Sequence, residues 1–139
     1  MTGEPPNDTS HTETVILYIE DNPTNLRLVE KSLAREDDLT LYTAMTPAAG
    51  LEQARRLQPD VILLDLNLHG MDGYSVLQEL QAEQALAATP VIAVTARAMP
   101  WDIEKGQQSG LFAYVTKPID VMELVRTIRQ AIAQNQQSS

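Results

Sequence analysis

Cysteine is absent from the 139 residues, which excludes disulfides, thiolate nucleophiles and cysteine-ligated zinc together. Basic residues are scarce: Lys+Arg number 10 against Asp+Glu 19, a formal net charge of -9. Such a balance repels a phosphate backbone and disfavours direct nucleic-acid binding. No apolar run approaches the length that spans a membrane, and the start Met1-Thr-Gly-Glu-Pro-Pro lacks the basic and apolar stretches of a secretory signal. These absences lead to the expectation of a soluble, cytoplasmic protein with no membrane partner. The composition, 43% hydrophobic and 21% charged, is that of a globular chain, and the length suits about one domain able to bury a sizeable core.

Residues 1–13 carry Pro5-Pro6, several small polar residues and three acids, and read as a flexible acidic tail. The folded unit is expected over 14–133, with a polar end at 134–139. Within it, apolar runs alternate with helical periodicity. Val15 to Ile19 stops at Glu20-Asp21, and Val61 to Leu64 stops at Asp65. Val91 to Val94 stops at Thr95, and Phe112 to Val115 leads through Thr116 to Lys117. Leu39 to Ala44 alternates in the manner of an edge strand. Helices are expected after Asn22-Pro23, from Pro47 to Leu57 and after Asp72-Gly73, and a weak one from Met99-Pro100-Trp101-Asp102. The last follows Asp120, with Val121, Leu124, Val125, Ile128 and Ile132 inward. Gly106 and Gly110 lower the helix propensity of the weak one.

Strand and helix thus alternate five times, which predicts an α/β fold: a doubly wound, five-stranded parallel sheet with right-handed crossovers and helices on both faces. Ligands of such sheets bind outside the carboxyl ends of the strands. Glu20, Asp21, Asp65, Thr95 and Lys117 all fall there. Carboxylates about 4 Å apart repel by several kcal/mol at an effective dielectric near 20, so a cation is required among them. Oxygen ligands without histidine or cysteine point to Mg²⁺. With a hydroxyl at Thr95 and a fixed positive charge at Lys117, the set suits phosphoryl transfer to an aspartate.

On these residues the chain resembles the response-regulator receiver domains of two-component signalling. The resemblance runs from about Val15 to Ile132 and rests on Glu20-Asp21, the stretch from Asp65 to Gly73, Thr95-Ala96 and Lys117-Pro118. It implies a flavodoxin-like strand order 2-1-3-4-5 and a cis Lys117-Pro118 bond. By the same resemblance Asp65 is the phospho-acceptor, served by a sensor histidine kinase or a histidine phosphotransfer protein. Asp21 would bind Mg²⁺ directly, Glu20 through a water, and Asn67 through its backbone carbonyl. Lys117 would pair with the phosphoryl oxygens, Thr95 would move in to bond one, and Tyr114 would be the switch residue beside the small Ala96. Such a module catalyses only its own phosphorylation and dephosphorylation. A downstream protein would read the state near Met99, Trp101 and Tyr114.

Two departures stand out. The acid pair is Glu-Asp where Asp-Asp is usual, and Leu68-His69 replaces the common Met-Pro. A histidine there would make the phosphoryl lifetime depend on pH. Taken singly, the same residues have plainer readings: a turn-initiating Asp65, a helix-dipole role for Glu20-Asp21, a core Tyr114, and solvent-facing His11 and His69. The alternatives are an aspartyl-nucleophile phosphatase, against which Asn67 stands where a second Asp is typical, and a receiver-like module that is not phosphorylated. A nucleotide or flavin binder needs a Gly- or Ser/Thr-rich loop where this chain has Glu20-Asp21-Asn22-Pro23. The sequence leaves open the kinase, the target, the oligomeric state, and whether the receiver stands alone or belongs to a longer protein.

Overall fold

A computed structural model describes residues 13–68, 71–96 and 99–138. Strand β1 (Thr14–Ile19) is followed by helix α1 (Pro23–Leu33), β2 (Leu39–Ala44), α2 (Pro47–Leu57) and β3 (Val61–Leu64). A short antiparallel ribbon, β4 (Asn67–Leu68) and β5 (Met71–Asp72), leads into α3 (Gly73–Ala82). Then come β6 (Val91–Thr95), α4 (Pro100–Gln108), β7 (Ala113–Thr116) and α5 (Val121–Ser138). No helix among the described residues is long and apolar enough to cross a membrane.

The longer strands form one parallel sheet in the order β2-β1-β3-β6-β7. With the ribbon set aside, this is the expected order 2-1-3-4-5, and the alternating strand β2 lies at an edge. The reason is burial. Strands β3 and β6 lose solvent on both faces, so every residue of each is buried and apolar, apart from Thr95 at the carboxyl end. Strand β2 is closed on one side only, and its burial varies along its length.

Two apolar layers cover the sheet. On one face Leu26, Val29 and Leu33 of α1 and Leu124, Ile128 and Ala131 of α5 meet Ile16, Tyr18, Leu63 and Val94. On the other, Leu51 and Ala54 of α2 and Val76, Leu77 and Leu80 of α3 meet Leu17, Ile19, Ile62 and Leu64. Each fully buried aliphatic side chain adds about 1.5–3 kcal/mol relative to exposure. The helix starts are set as their sequences dictate. Asn22 accepts from the backbone N–H groups of Thr24 at 2.8 Å and Asn25 at 3.3 Å, with Pro23 in the first turn. Thr46 caps α2, Asp72 caps α3, and Asp120 accepts from the N–H of Glu123 at 3.2 Å.

One element differs in detail from the sequence reading. The polar residues from 134 onward continue α5 to Ser138, since neither Gly nor Pro interrupts them. The weak helix expected here is present as α4, with Gly106 inside it and Gly110 beyond its end, and the backbone N–H of Met99 donates to Asp102 Oδ2 at 3.2 Å. Gly106 is what brings α4 onto the sheet. A Cβ there would stand 2.9 Å from Leu111 Cδ1 and from Tyr114 Cε2.

The start of α3 is tighter still. A Cβ on Gly73 would lie 2.4 Å from Leu66 Cα and 2.8 Å from the carbonyl oxygen of Asp65. Both obstacles are backbone and cannot rotate away. Gly73→Ala is therefore expected to cost about 2 kcal/mol or more, as overpacking does. Urea denaturation would reveal it, and an unchanged midpoint would refute so close an approach.

At the opposite end of the sheet, Arg129 of α5 holds Asp38 through two bonds of 3.0 Å and Glu36 through one of 2.7 Å. The Arg129 guanidinium keeps the Asp38 carboxyl below its ordinary range. Its stabilising effect is thus present above that range and lost as pH falls through the lowered value. The cluster is exposed, so Arg129→Met is expected to cost under about 1 kcal/mol and less at high salt. Thermal melts at low and high NaCl test both points.

Candidate functional site

The parallel register delivers the functional residues to one edge. Ile19 is paired with Leu64, Leu64 with Ala93, and Thr95 with Thr116. The ladder then runs one residue further at three places. The backbone N–H of Glu20 donates to the carbonyl of Ala44 at 2.9 Å, that of Asp65 to Ile19 at 3.0 Å, and that of Lys117 to Thr95 at 2.8 Å. Glu20, Asp65 and Lys117 are therefore held as rigidly as strand residues, although each begins a loop. The Lys117–Pro118 peptide is cis, as the resemblance implies.

Glu20, Asp21 and Asp65 each present a carboxylate oxygen, and these oxygens lie within 4.8 Å of one another. Glu20 is fully buried, Asp65 is 3% exposed and Thr95 is fully buried. Lys117 answers this charge. Its Nζ stands 2.9 Å from Glu20 Oε1 and 3.2 Å from Asp65 Oδ2. Burial opposes the lysine's charge, but the two carboxylates outweigh it and raise its pKa. Burial raises the pKa of Glu20, and the neighbouring Asp65 adds to this while Lys117 and Tyr18 oppose it. Three hard oxygen donors of this kind, with a single ammonium among them, fit a divalent cation such as Mg²⁺.

The hydroxyl at the end of β6 is linked to the loop that follows Asp65, because Asn67 Nδ2 donates to Thr95 Oγ1 at 3.3 Å. Asn67 in turn has its backbone N–H on Asp65 Oδ1 at 3.0 Å. Tyr114 is half-buried against the α2/α3 layer and Gly106. It shares with Leu66, Asn67, Tyr74 and Lys105 the lining of a cavity of about 270 Å³. The Lys105 ammonium lies 4.3 Å from the centre of the Tyr74 ring. Ala96 is exposed, and Met99 just before α4 and Trp101 within it are 50% and 63% exposed. His69, for which a pH effect is expected, lies outside the described residues, as do His11 and the rest of the tail up to residue 12.

One participant escaped the sequence reading. Tyr18, fully buried in β1, donates its hydroxyl to Glu20 Oε1 at 2.7 Å. The available signal was the spacing: residues two apart on a strand share a face.

The profile of the response regulator receiver domain matches residues 16–129, most of the chain. The chain belongs to the response-regulator receiver family. This receiver is 37% identical over 114 residues to the polar-differentiation response regulator DivK of Brucella ovis, covering 82% of this chain and 92% of that protein. It is 33% identical to the receiver domain of a sensor histidine kinase from Pseudomonas aeruginosa, with a TM-score of 0.78 over 87% of this chain and 98% of that one. That structure has a magnesium ion coordinated in its active-site cleft. The chemotaxis response regulator CheY4 of Vibrio cholerae shares the fold, with a TM-score of 0.79 at 22% identity over 86% of this chain and 99% of that one. The receiver is accordingly a phosphorylation-dependent switch of two-component signalling. Receivers are signalling switches rather than enzymes in the usual sense, and they work with histidine kinases or phosphotransfer proteins and with downstream targets.

Proposed function

We propose that Asp65 is the phospho-acceptor of this cytoplasmic switch, and that residues 14–133 form the unit that reports its state. An oxygen of the Asp65 carboxylate attacks the phosphorus of a partner's phosphohistidine. The phosphorus–nitrogen bond breaks and the electron pair leaves with the imidazole. One observation carries this reading. Asp65 is a buried carboxylate at a strand end whose Oδ2 lies 3.2 Å from the Lys117 ammonium and which shares its oxygen cluster with Glu20 and Asp21.

Asp21 and Asp65 would hold Mg²⁺ through their carboxylates, Asn67 through its backbone carbonyl, and Glu20 through a water. When bound, the ion offsets the charge gathering on the phosphoryl oxygens. Lys117 neutralises part of the same charge from the other side. Thr95 bonds a phosphoryl oxygen, which draws its hydroxyl away from Asn67, and Tyr114 follows inward. The surface carrying Met99 and Trp101 passes the change to a target, since exposed aromatic and methionine side chains are ready anchors. The module thereby catalyses its own modification and no other reaction.

Incubation with acetyl phosphate and Mg²⁺ is the test. A single acid-stable, base-labile phosphoryl adduct is expected, located on the peptide that contains Asp65 and absent when EDTA replaces the metal. An adduct on any other residue would overturn the assignment.

A further inference from the structure

The geometry points to Tyr18 as a positioning residue for metal binding, acting through Glu20. The inference rests on the metal site proposed above and adds a residue that touches neither metal nor phosphoryl group.

Tyr18 and Glu20 are two residues apart at the end of β1, so both side chains emerge on the α1/α5 face of the sheet. Tyr18 is fully buried among Ile16, Val29, Leu63 and Leu124, and its ring is in the core like any aliphatic neighbour. Its hydroxyl has no apolar purpose there. A buried phenol needs a hydrogen-bond acceptor, and Glu20 Oε1 supplies it at 2.7 Å. Lys117 Nζ occupies the same oxygen at 2.9 Å, while Glu20 Oε2 accepts the backbone N–H of Asn22 at 3.2 Å. Three donors thus pin one carboxylate, two of them flanking it in the chain and the third from the end of β7.

Glutamate has one more rotatable bond than aspartate, and ordering that bond costs entropy. The extra methylene also lets the carboxylate fold back to reach the Tyr18 hydroxyl. Tyrosine at 18 and glutamate at 20 are therefore a matched pair. The hydroxyl saturates Oε1 together with Lys117 and leaves the remaining lone pair of Oε2 for the cation's hydration shell. Without the hydroxyl, Glu20 has an extra rotamer to lose and one fewer donor stabilising its anion. Both changes weaken the ion's binding.

Isothermal titration of the full chain with MgCl₂ is the test, on wild type, Tyr18→Phe, Glu20→Asp and the double variant. Phenylalanine keeps the ring and its packing. Tyr18→Phe is expected to weaken Mg²⁺ binding about three- to tenfold, the effect of losing a charge-assisted hydrogen bond that orders a ligand. In the Glu20→Asp background the shorter arm cannot reach the hydroxyl, so Tyr18→Phe should change the affinity less than twofold. Coupling of this kind is what a double-mutant cycle isolates. A Tyr18→Phe chain that melts lower in EDTA yet binds Mg²⁺ as wild type does would overturn the inference. So would an equal loss in both backgrounds, which would place the effect of Tyr18 elsewhere than on Glu20. A wild type that binds no Mg²⁺ would overturn the metal site itself.

Discussion

The Asp65→Asn chain is expected to take up no phosphoryl group from acetyl phosphate under conditions that modify wild type fully, and to be at least as stable in EDTA. The first outcome follows from chemistry, since the carboxamide of asparagine is no nucleophile at neutral pH. The second follows from the contacts. Asparagine keeps an oxygen in the place of Oδ1, so the backbone N–H of Asn67 retains its acceptor. Lys117 loses a partner at 3.2 Å but keeps Glu20 at 2.9 Å. Meanwhile one of the carboxylates crowding within 4.8 Å of the others loses its charge. Relief of repulsion therefore outweighs the lost ion pair. The stabilisation that added Mg²⁺ gives wild type by mass action should shrink in the variant. Mass spectrometry reads the first result, and melting curves with and without Mg²⁺ read the others. A variant that still forms the base-labile adduct would move the acceptor away from Asp65.

Removal of Lys117 should act in the opposite direction. Lys117→Met preserves the apolar stem and deletes the ammonium that stands against fully buried Glu20 and nearly buried Asp65. Loss of one partner from a buried ion pair typically costs about 3–5 kcal/mol, because the survivor remains uncompensated. Here a loss of about 3 kcal/mol is expected in EDTA at pH 7.5, since Glu20 can still escape by taking a proton. The pH dependence follows from its sign. Glu20 already has a folded pKa above its ordinary value, and the native state binds the proton more readily than the unfolded chain. An acid shifted that way destabilises the fold as pH rises through the interval between the two values. Loss of Lys117 widens the interval, so the deficit of the variant should narrow as pH falls toward 5. Adding Asp65→Asn to Lys117→Met should restore part of the loss, and the recovered amount measures the repulsion directly. Urea titrations at the two pH values decide it. A loss below 1 kcal/mol at pH 7.5 would mean that the lysine does not balance these charges.

Much of this site was legible in the chain order because a parallel sheet converts sequence into position by a simple rule. Every strand that starts on one side finishes on the other, so the residue after each apolar run falls on a common edge. Asp65 after Val61–Leu64, Glu20 after Ile19 and Lys117 after β7 need only that rule to meet. The cation requirement was equally local, since acids gathered without histidine or cysteine point to a hard ion. Helix starts were readable for a similar reason: Asn22-Pro23, Thr46-Pro47 and Asp72-Gly73 satisfy their own first turns.

What escaped was set by distances between side chains on different elements. Gly106 reads as a weakness in α4, and it is the point at which Tyr114 and Leu111 meet the helix. Tyr18 reads as one more apolar residue in a buried run, and its hydroxyl ends on Glu20. Gly73 reads only as part of the lead into a helix, and the place of its missing Cβ is taken by the backbone of Leu66. The pattern of apolar runs and strand-end acids by itself determined the parallel sheet and the edge on which Glu20, Asp65 and Lys117 meet, because those depend on periodicity and chain direction alone, whereas the choice of Asp65 as acceptor candidate came from the family resemblance. Only the tertiary structure decided how Glu20 is held, which carboxylates Lys117 balances and how closely α3 and α4 approach. Those depend on contacts of a few ångströms between residues far apart in sequence.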